Sequence, residues 1–172
     1  MTTKKSLNHI NIRTSLQPGD IGYVIHLHGS LYQKEYDYGI TFETYVANGL
    51  IEFYNQYDEE KDAVWICEHD HIIIGFLLLI HREKNTAQLR YFILEPGYRG
   101  IGLGKTLLEL FMQHVKAKGF KHIYLWTTHE QEAAAAIYKK HGFKLKEKKY
   151  SEAFGKPLYE HKYVLQLSGK SY

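Results

Sequence analysis

The chain has 172 residues, of which 44% are hydrophobic and 24% charged, so it can fold around a core and is too apolar to be disordered. Its formal net charge of +3 is too small to indicate a nucleic-acid-binding protein. It has no apolar run of the ~18 residues that a membrane span needs, no apolar signal segment at the N-terminus, and one cysteine, Cys67, which fits a reducing cytoplasm. We therefore expect a single cytoplasmic domain over residues 1–172, with neither nucleic acid nor membrane as a partner.

Hydrophobic periodicity and turn residues predict helices and strands along the whole chain. The first half begins with a weak strand over 8–16, followed by helices over 20–34 and 41–57 and by hairpin strands over 64–68 and 72–81. In the second half we predict strands over 87–94, 122–127, 143–150 and 158–167, and a helix over 101–118. A last helix, between the strands at 122–127 and 143–150, is predicted to have Thr128 as its N-cap and Gln131 as the capping-box partner, and to stop near Gly142.

A glycine-rich turn joins the strand that ends at Leu94 to the helix that follows. Gly100, Gly102 and Gly104 lack a Cβ, so the backbone can approach a bulky anion closely. The helix directs its free N–H groups and the positive end of its dipole towards the same place. Such a turn can bind a phosphate or pyrophosphate without a metal ion.

The spacing of these glycines excludes two common phosphate-binding motifs. A P-loop requires a glycine where this chain has Arg99, although a Gly-Lys-Thr end is present. The Gly-x-Gly-x-x-Gly dinucleotide fingerprint fails as well, because its third glycine falls on Lys105 or Leu107. The pattern that remains is Arg99-x-x-Gly102-x-Gly104.

This pattern resembles the acetyl-coenzyme A signature of the GNAT N-acetyltransferase superfamily, Gln/Arg-x-x-Gly-x-Gly/Ala. A second segment, Tyr138-x-x-x-Gly142-Phe143, resembles the part of the family whose tyrosine lies beside the coenzyme sulfur. The resemblance implies an α/β (α+β) fold: a mixed, mostly antiparallel central sheet of about seven strands, flanked by about four helices.

A looser resemblance extends to one subgroup. Pro18–Gly29, Leu125-Trp126-Thr127 and Ser151-x-x-Phe154-Gly155 are similar to the acetyltransferase half of bacterial fusions that carry a MarR-type winged-helix regulator. The regulator half is not in this sequence, so no DNA-binding role is expected.

The family resemblance also implies where acetyl-CoA binds. The strands that end at Leu94 and near Thr127 are expected to splay apart, so that their unpaired backbone groups bind the pantetheine arm as a substitute strand. An N–H near Leu94 is expected to polarise the thioester oxygen, and Tyr138 to donate a proton to the departing sulfur. The residues expected to bind the coenzyme are Phe92, Ile93, Leu94, Arg99, Gly100, Ile101, Gly102, Leu103, Gly104 and Lys105.

The base that removes the proton of the acceptor amine is harder to identify. Many members of the superfamily have a glutamate on the strand before the glycine turn, but here that strand has no carboxylate before Glu95. Glu68 on a neighbouring strand is the predicted base, with His28 as the alternative. His28, Tyr32 and Arg90 are expected to line the acceptor pocket, where Arg90 could hold a carboxylate.

The predicted function is transfer of an acetyl group from acetyl-CoA to the amine of a small or amino-acid-like molecule, by direct attack of the amine on the thioester. A non-enzymatic acetyl-CoA sensor and a protein-lysine acetyltransferase are the alternatives. No metal site is expected, because the 11 histidines lack the spacing of a ligand set. A homodimer is a candidate assembly, since dimers are common in this fold.

Overall fold

A seven-stranded mixed sheet runs through the protein, in a computed structural model that describes residues 6–168. Its strands are β1 (Asn11–Arg13), β2 (Ala63–His69), β3 (Ile72–Arg82), β4 (Thr86–Leu94), β5 (His122–Thr128), β6 (Lys144–Ser151) and β7 (Leu158–Gln166). The helices are α1 (Asp20–Tyr36), α2 (Ile40–Asn55), α3 (Leu103–Ala117) and α4 (Glu132–Lys140). The strand order is β1-β2-β3-β4-β5-β7-β6, and β4 and β5 form the parallel pair. The predicted fold class is confirmed, whereas a single domain over residues 1–172 stays a prediction.

Two local predictions differ from the structure. The weak strand predicted over 8–16 is a 3-10 turn at Leu7–His9 followed by the short β1. Thr128 is the last residue of β5 rather than an N-cap, and Gln131 is itself the N-cap residue of α4. The predicted capping box is therefore wrong, and Gln131 instead accepts a hydrogen bond of 2.5 Å from the Thr127 hydroxyl through its side-chain oxygen.

Each face of the sheet buries its own apolar layer. On one face α3 and α4 pack with residues that include Leu107, Leu108, Phe111 and Tyr138. On the other face α1 and α2 pack with residues that include Val24, Val46, Leu50 and Phe53. Because β3 is covered on both faces, it carries the near-continuous apolar run that the sequence shows there. Burial of each large apolar side chain contributes about 1.5–3 kcal/mol, so the two layers hold the sheet as a rigid platform.

β4 and β5 pair only at their N-terminal ends. The register pairs are Thr86 with His122, Ala87 with Ile123, and Gln88 with Tyr124. Beyond these pairs each strand continues to its own end, held at its outer edge by β3 or by β7. The expected splay is confirmed, and it leaves a gap between the inner edges of the two strands.

A bulge bends β4 just after the point where it leaves β5. The register with β3 shifts between Phe76 and Leu78, and Tyr91 has a φ of +56°, which residues other than glycine rarely adopt. The bulge brings neighbouring side chains to one side, so the Arg90 guanidinium lies 4.6 Å from the centre of the Tyr91 ring. The Tyr91 hydroxyl is buried with no hydrogen-bond partner in residues 6–168, and it fits against Gly49 of α2.

Replacing Gly49 by alanine tests this packing. A Cβ there would lie 1.7 Å from the Tyr91 hydroxyl oxygen, so Gly49→Ala should lower the free energy of unfolding by about 1–3 kcal/mol despite the better helix propensity of alanine. In a Tyr91→Phe background the oxygen is gone, and the same change should cost at least about 1 kcal/mol less. Urea unfolding of the wild type, the two single variants and the double variant measures the coupling energy between the two positions. Purely additive changes in unfolding free energy would contradict a contact between Gly49 and the Tyr91 hydroxyl.

Candidate functional site

A cleft of about 440 Å³ lies where β4, the glycine turn and α4 meet, and its size is typical of a ligand site. The β4 wall is formed by Phe92, Ile93 and Leu94, and the α4 wall by Ala133, Ala134, Ile137 and Tyr138. Tyr32 and Tyr36 of α1 close one side. The cleft therefore occupies the gap that the splayed strands leave.

The glycine turn gives one end of the cleft an open backbone surface. Gly100 and Gly102 have φ values of +78° and +94°, which other residues adopt only with strain. Gly102 is the N-cap of α3, so the first free N–H groups of that helix point towards the turn. A turn of this shape at the start of a 15-residue helix suits an anionic ligand such as a pyrophosphate.

The structure brings all but two of the predicted coenzyme-binding residues to this cleft. The exceptions are Ile101, which packs against the core, and Leu103, which is 1% exposed on the apolar face of α3. Their side chains belong to the core, so only their backbone atoms can reach a ligand. Lys105 lies at the cleft with an exposed side chain that pairs with Glu109 at 3.7 Å.

Arg99 ties the glycine turn to α1. Its guanidinium donates two hydrogen bonds to the Glu35 carboxylate, at 2.7 and 3.1 Å, and its Nε donates to the Leu94 carbonyl at 3.1 Å. The hydrogen bond to Glu35 raises the pKa of Arg99, so its charge is permanent. Arg99 therefore holds the turn in place. Its guanidinium is paired with Glu35 and also lines the cleft.

The backbone of β4 faces the cleft at Leu94. The next N–H, that of Glu95, donates to the Ile74 carbonyl of β3 at 2.8 Å. Because the backbone groups of successive strand residues point to opposite edges, the Leu94 N–H points away from β3 and into the gap. The N–H expected to polarise a thioester thus lies on the cleft edge of the strand.

A second pocket, of about 90 Å³, adjoins the cleft. Both cavities are lined by Tyr32, Phe92, Gln131 and Tyr138, so the two are adjacent. Half of the remaining lining residues are aromatic: Tyr38, Phe42, Tyr45, Tyr91, Trp126 and Phe154. Its polar side chains include His28, Thr127, Thr128 and Glu160.

Tyr138 lies at the junction of the two cavities. Its ring packs against Phe92, Phe143 and Tyr163, and the residue is 4% exposed. Burial, with a smaller contribution from Tyr32, raises the pKa of Tyr138 above its ordinary value, so the hydroxyl is protonated at neutral pH. Within residues 6–168 this hydroxyl has no hydrogen-bond partner, so its proton is available to a ligand atom.

The small pocket is lined by His28 and Tyr32, two of the three residues predicted to line an acceptor pocket. The His28 Nδ1–H donates to the Val24 carbonyl at 2.8 Å, and the ring lies edge-on to Tyr32 and Tyr91. Burial lowers the pKa of His28 to about 4, so the imidazole is neutral at pH 7. A group with so low a pKa holds an amine proton weakly, which makes His28 a polar lining residue rather than a base.

The structure places Glu68, the predicted base, away from both cavities. Glu68 lies on β2, two strands away from β4, where Arg13 contacts it at 2.7 Å and also contacts Asp20 at 2.8 Å. The hydrogen bond from Arg13 lowers the pKa of Glu68, and the residue lines neither cavity. Its carboxylate is therefore a structural partner of Arg13.

Arg90 stands beside the small pocket rather than in its wall. Its guanidinium lies 5.5 Å from the centre of the Tyr45 ring and 4.6 Å from that of Tyr91, and both rings line the pocket. One guanidinium N–H donates to the Tyr45 hydroxyl at 3.1 Å. The rings of Tyr45 and Tyr91 therefore lie between Arg90 and the interior of the pocket.

Sequence reasoning missed several pocket residues, above all Tyr45, Trp126 and Glu160. Alternation along β5 and β7 could have placed Trp126 and Glu160 on one face of the sheet. No spacing signal, however, indicates that Glu160 lies opposite Thr128 in the register of β5 and β7. The sequence predicts that Tyr45 lies on an amphipathic helix, but it gives no signal that its ring lines the pocket.

Residues 6–168 contain no group of three His, Cys, Asp or Glu side chains arranged as metal ligands. None of the helices in that range is both long and apolar enough to cross a bilayer.

Comparison with known proteins gives a family. The family model described as "Acetyltransferase (GNAT) family" matches residues 29–143. The uncharacterized N-acetyltransferase YjgM of Escherichia coli K12 is 31% identical over 117 residues, which cover 64% of this chain and 70% of that protein. Other curated relatives are matched over a smaller share of their length, such as 30% of the mycothiol acetyltransferase of Streptomyces avermitilis, which is 28% identical over 94 residues and 50% of this chain.

Solved structures of acetyltransferases share the fold. One from Streptococcus agalactiae 2603 has a TM-score of 0.73 at 22% identity, covering 92% of this chain and 99% of that one. One from Bacillus anthracis, in complex with acetyl coenzyme A, has a TM-score of 0.58 at 25% identity, covering 67% and 69%.

Gly104→Ala tests ligand binding at the glycine turn. A Cβ on Gly104 would meet the side chains of Leu94 and Phe92 at 3.4 and 3.6 Å, which are ordinary contacts, so the fold should tolerate it. The added methyl group narrows the cleft, and the Kd for acetyl coenzyme A, measured by calorimetric titration, should rise about tenfold or more, which corresponds to about 1.4 kcal/mol.

The matched control is Gly22→Ala, in a helix with open space around the new Cβ, which should leave the Kd unchanged. Equal Kd values for wild type and Gly104→Ala, at equal melting temperature, would mean that the ligand does not lie against this turn.

Proposed function

The chain belongs to the GNAT family of acetyltransferases, and from this premise we propose that it transfers the acetyl group of acetyl-CoA to the amine of a small or amino-acid-like molecule. The observation that carries the proposal is the junction at Tyr138, where the coenzyme cleft and the small pocket share lining residues. A thioester bound in the first cavity and an amine bound in the second would meet at this tyrosine.

In this proposal backbone N–H groups of residues 99–105 bind the pyrophosphate of the coenzyme. The amides of the pantetheine arm take the place of the missing strand between β4 and β5. The Leu94 backbone groups face this arm. The Ile93 backbone groups point to β3 instead, so Ile93 forms part of the strand beside the arm but makes no backbone hydrogen bond to it.

The reaction itself needs a free amine. An amine resembling lysine has a pKa of ~10.4, so it arrives mostly protonated and must lose a proton first. The free nitrogen attacks the thioester carbonyl carbon and the C–N bond forms. The nitrogen then gives up its second proton to the base or to water, the C–S bond breaks and coenzyme A leaves as the thiolate. The Leu94 N–H stabilises the negative charge on the carbonyl oxygen, and Tyr138 donates its proton to the sulfur.

We assign Glu160, in place of Glu68, as the carboxylate that takes up the amine proton, directly or through water. Glu160 lines the small pocket and lies opposite Thr128 in the register of β5 and β7. It forms no ion pair with any residue between 6 and 168, unlike Glu68, so its oxygens are free to accept a proton.

Within the family, we further propose that the chain is similar to the acetyltransferase half of MarR-type fusions, on the motifs in β5 and just before β7. We also propose a reducing, cytoplasmic location. Cys67 is the one cysteine, it is fully buried in β2, and burial raises the pKa of its thiol to about 12, so it acts as a small core side chain. A homodimer stays a prediction.

Tyr138→Phe tests the proton donor. Loss of the hydroxyl should lower kcat for thiol release about 10²-fold or more, the usual contribution of a general acid, while the Kd for acetyl-CoA stays the same. Tyr163→Phe, at an equally buried tyrosine outside both cavities, is the control and should keep its activity. Full activity in Tyr138→Phe would remove the assignment, and acetyl-CoA binding without thiol release from any amine would favour a sensor.

Glu160→Gln and Glu68→Gln form a matched pair for the base. Glu160→Gln should lower kcat about 10²-fold, because the amine proton loses its acceptor. Glu68→Gln should keep kcat but lower the free energy of unfolding by about 1 kcal/mol at pH 7. Because the pKa of Glu68 is lowered in the folded state, this stability difference is present above the unfolded pKa and disappears as the pH falls through the folded one.

Steady-state kinetics and urea unfolding between pH 3 and 8 check both variants. If Glu68→Gln lost activity at unchanged stability while Glu160→Gln kept it, Glu68 would be reinstated as the base.

A further inference from the structure

We propose that the acceptor carries an anionic group close to its amine, and that Arg90 and Lys162 recognise this group at the mouth of the small pocket. The inference rests on the acetyl transfer proposed above. It specifies the class of acceptor and adds Lys162 as a residue that determines specificity.

The size of the small pocket shows that most of an acceptor must lie outside it. A cavity of about 90 Å³ is smaller than the roughly 150 Å³ cavity that can hold a benzene molecule, so it has room for a handful of heavy atoms. The amine and its neighbouring carbon fit inside. The rest of the molecule must lie outside the pocket.

Two cations lie next to the aromatic rings that line the pocket. Arg90 of β4 lies over the rings of Tyr45 and Tyr91, as described above. Lys162 of β7 lies opposite Trp126 in the register of β5 and β7, so both residues are on the same face of the sheet. The Lys162 Nζ is 5.6 Å from the centre of the Trp126 ring, which lines the pocket, and 5.0 Å from that of Tyr124.

Neither cation has a carboxylate partner among residues 6–168, whereas Arg13, Arg99 and Lys156 are each paired with one. The hydrogen bond of Arg90 goes to the Tyr45 hydroxyl, which leaves its other N–H groups free. Glu147 lies opposite Lys162 in the register of β6 and β7 but forms no ion pair with it. Both cations rest on aromatic faces, an arrangement that holds a charge in place without neutralising it.

The charges around the mouth therefore favour an anion. Two cations stand against one carboxylate in the pocket lining, that of Glu160. An anionic group on the acceptor can accept hydrogen bonds from the planar guanidinium of Arg90 and from the Lys162 ammonium. A carboxylate and a phosphate share this chemistry.

The experiment compares acceptors that differ only in the anionic group. Thiol release from acetyl-CoA is measured with amino acids and dipeptides, with their carboxamides, with the corresponding decarboxylated amines and with aminoalkyl phosphates. We expect kcat/KM to be at least tenfold higher for an anionic acceptor than for its neutral counterpart. The better of the carboxylate and phosphate series identifies the anion.

Variants then link this preference to the two cations. Lys162→Gln and Arg90→Gln should each raise KM about tenfold for the anionic acceptor, with little change in kcat and no change in KM for the carboxamide. Lys148→Gln, whose register partner His161 faces the other side of the sheet, is the matched control and should change neither. Because Arg90 also packs on Tyr91, Lys162→Gln alone decides the question if Arg90→Gln does not fold.

Two results separate this inference from the proposed function. If carboxamides and amines react as well as anionic acceptors, and Lys162→Gln leaves every KM unchanged, the inference is overturned while acetyl transfer stands. If no acceptor in the panel, including a lysine-containing peptide, releases thiol, the proposed function is contradicted and this inference falls with it.

Discussion

The site depends on the incomplete pairing of β4 and β5. Two neighbouring parallel strands would normally bond along their shared length, but here they stop after the pair of Gln88 and Tyr124. Their inner edges are left with backbone groups that need a partner, since a buried, unpaired N–H or C=O is costly. A ligand with amides of its own can supply that partner, and in the proposed function this ligand is the pantetheine arm of acetyl-CoA.

Several contacts hold the gap open in the absence of a ligand. The bulge at Tyr91 turns β4 away from β5, and it can form because Gly49 of α2 leaves room for the tyrosine hydroxyl. At the other end of β4, Arg99 links the Leu94 carbonyl to Glu35 of α1. The glycine turn is thus attached to both the sheet and a helix, and its N–H groups are pre-organised for the phosphate that we propose it binds. Pre-organisation of this kind reduces the entropy that binding must overcome.

Burial sets the protonation states of the groups around the junction. Tyr138 is kept protonated and His28 is kept neutral, in both cases because burial disfavours the charged form. The charged groups lie further out: Glu160 in the pocket lining, with Arg90 and Lys162 behind the rings of Tyr45, Tyr91 and Trp126. The amine of an acceptor would therefore pass these charged groups and become buried among aromatic rings. Burial disfavours the charged ammonium and so favours the free amine.

The amino-acid sequence by itself identified the family, the seven-stranded fold and the glycine turn. It also identified Tyr138 as the tyrosine of the second motif. These are local features: the allowed φ of Gly100 and Gly102, the period of a helix and the spacing from Tyr138 to Gly142 depend on residues close together in the chain. The composition of the small pocket depends instead on strand register over long separations. Glu68 and Glu160 are both strand glutamates in the sequence, but pairing brings one to Arg13 and the other to Thr128. Only the tertiary structure decided between them, because the partner of a strand residue is set by a neighbouring strand and not by its own sequence neighbours.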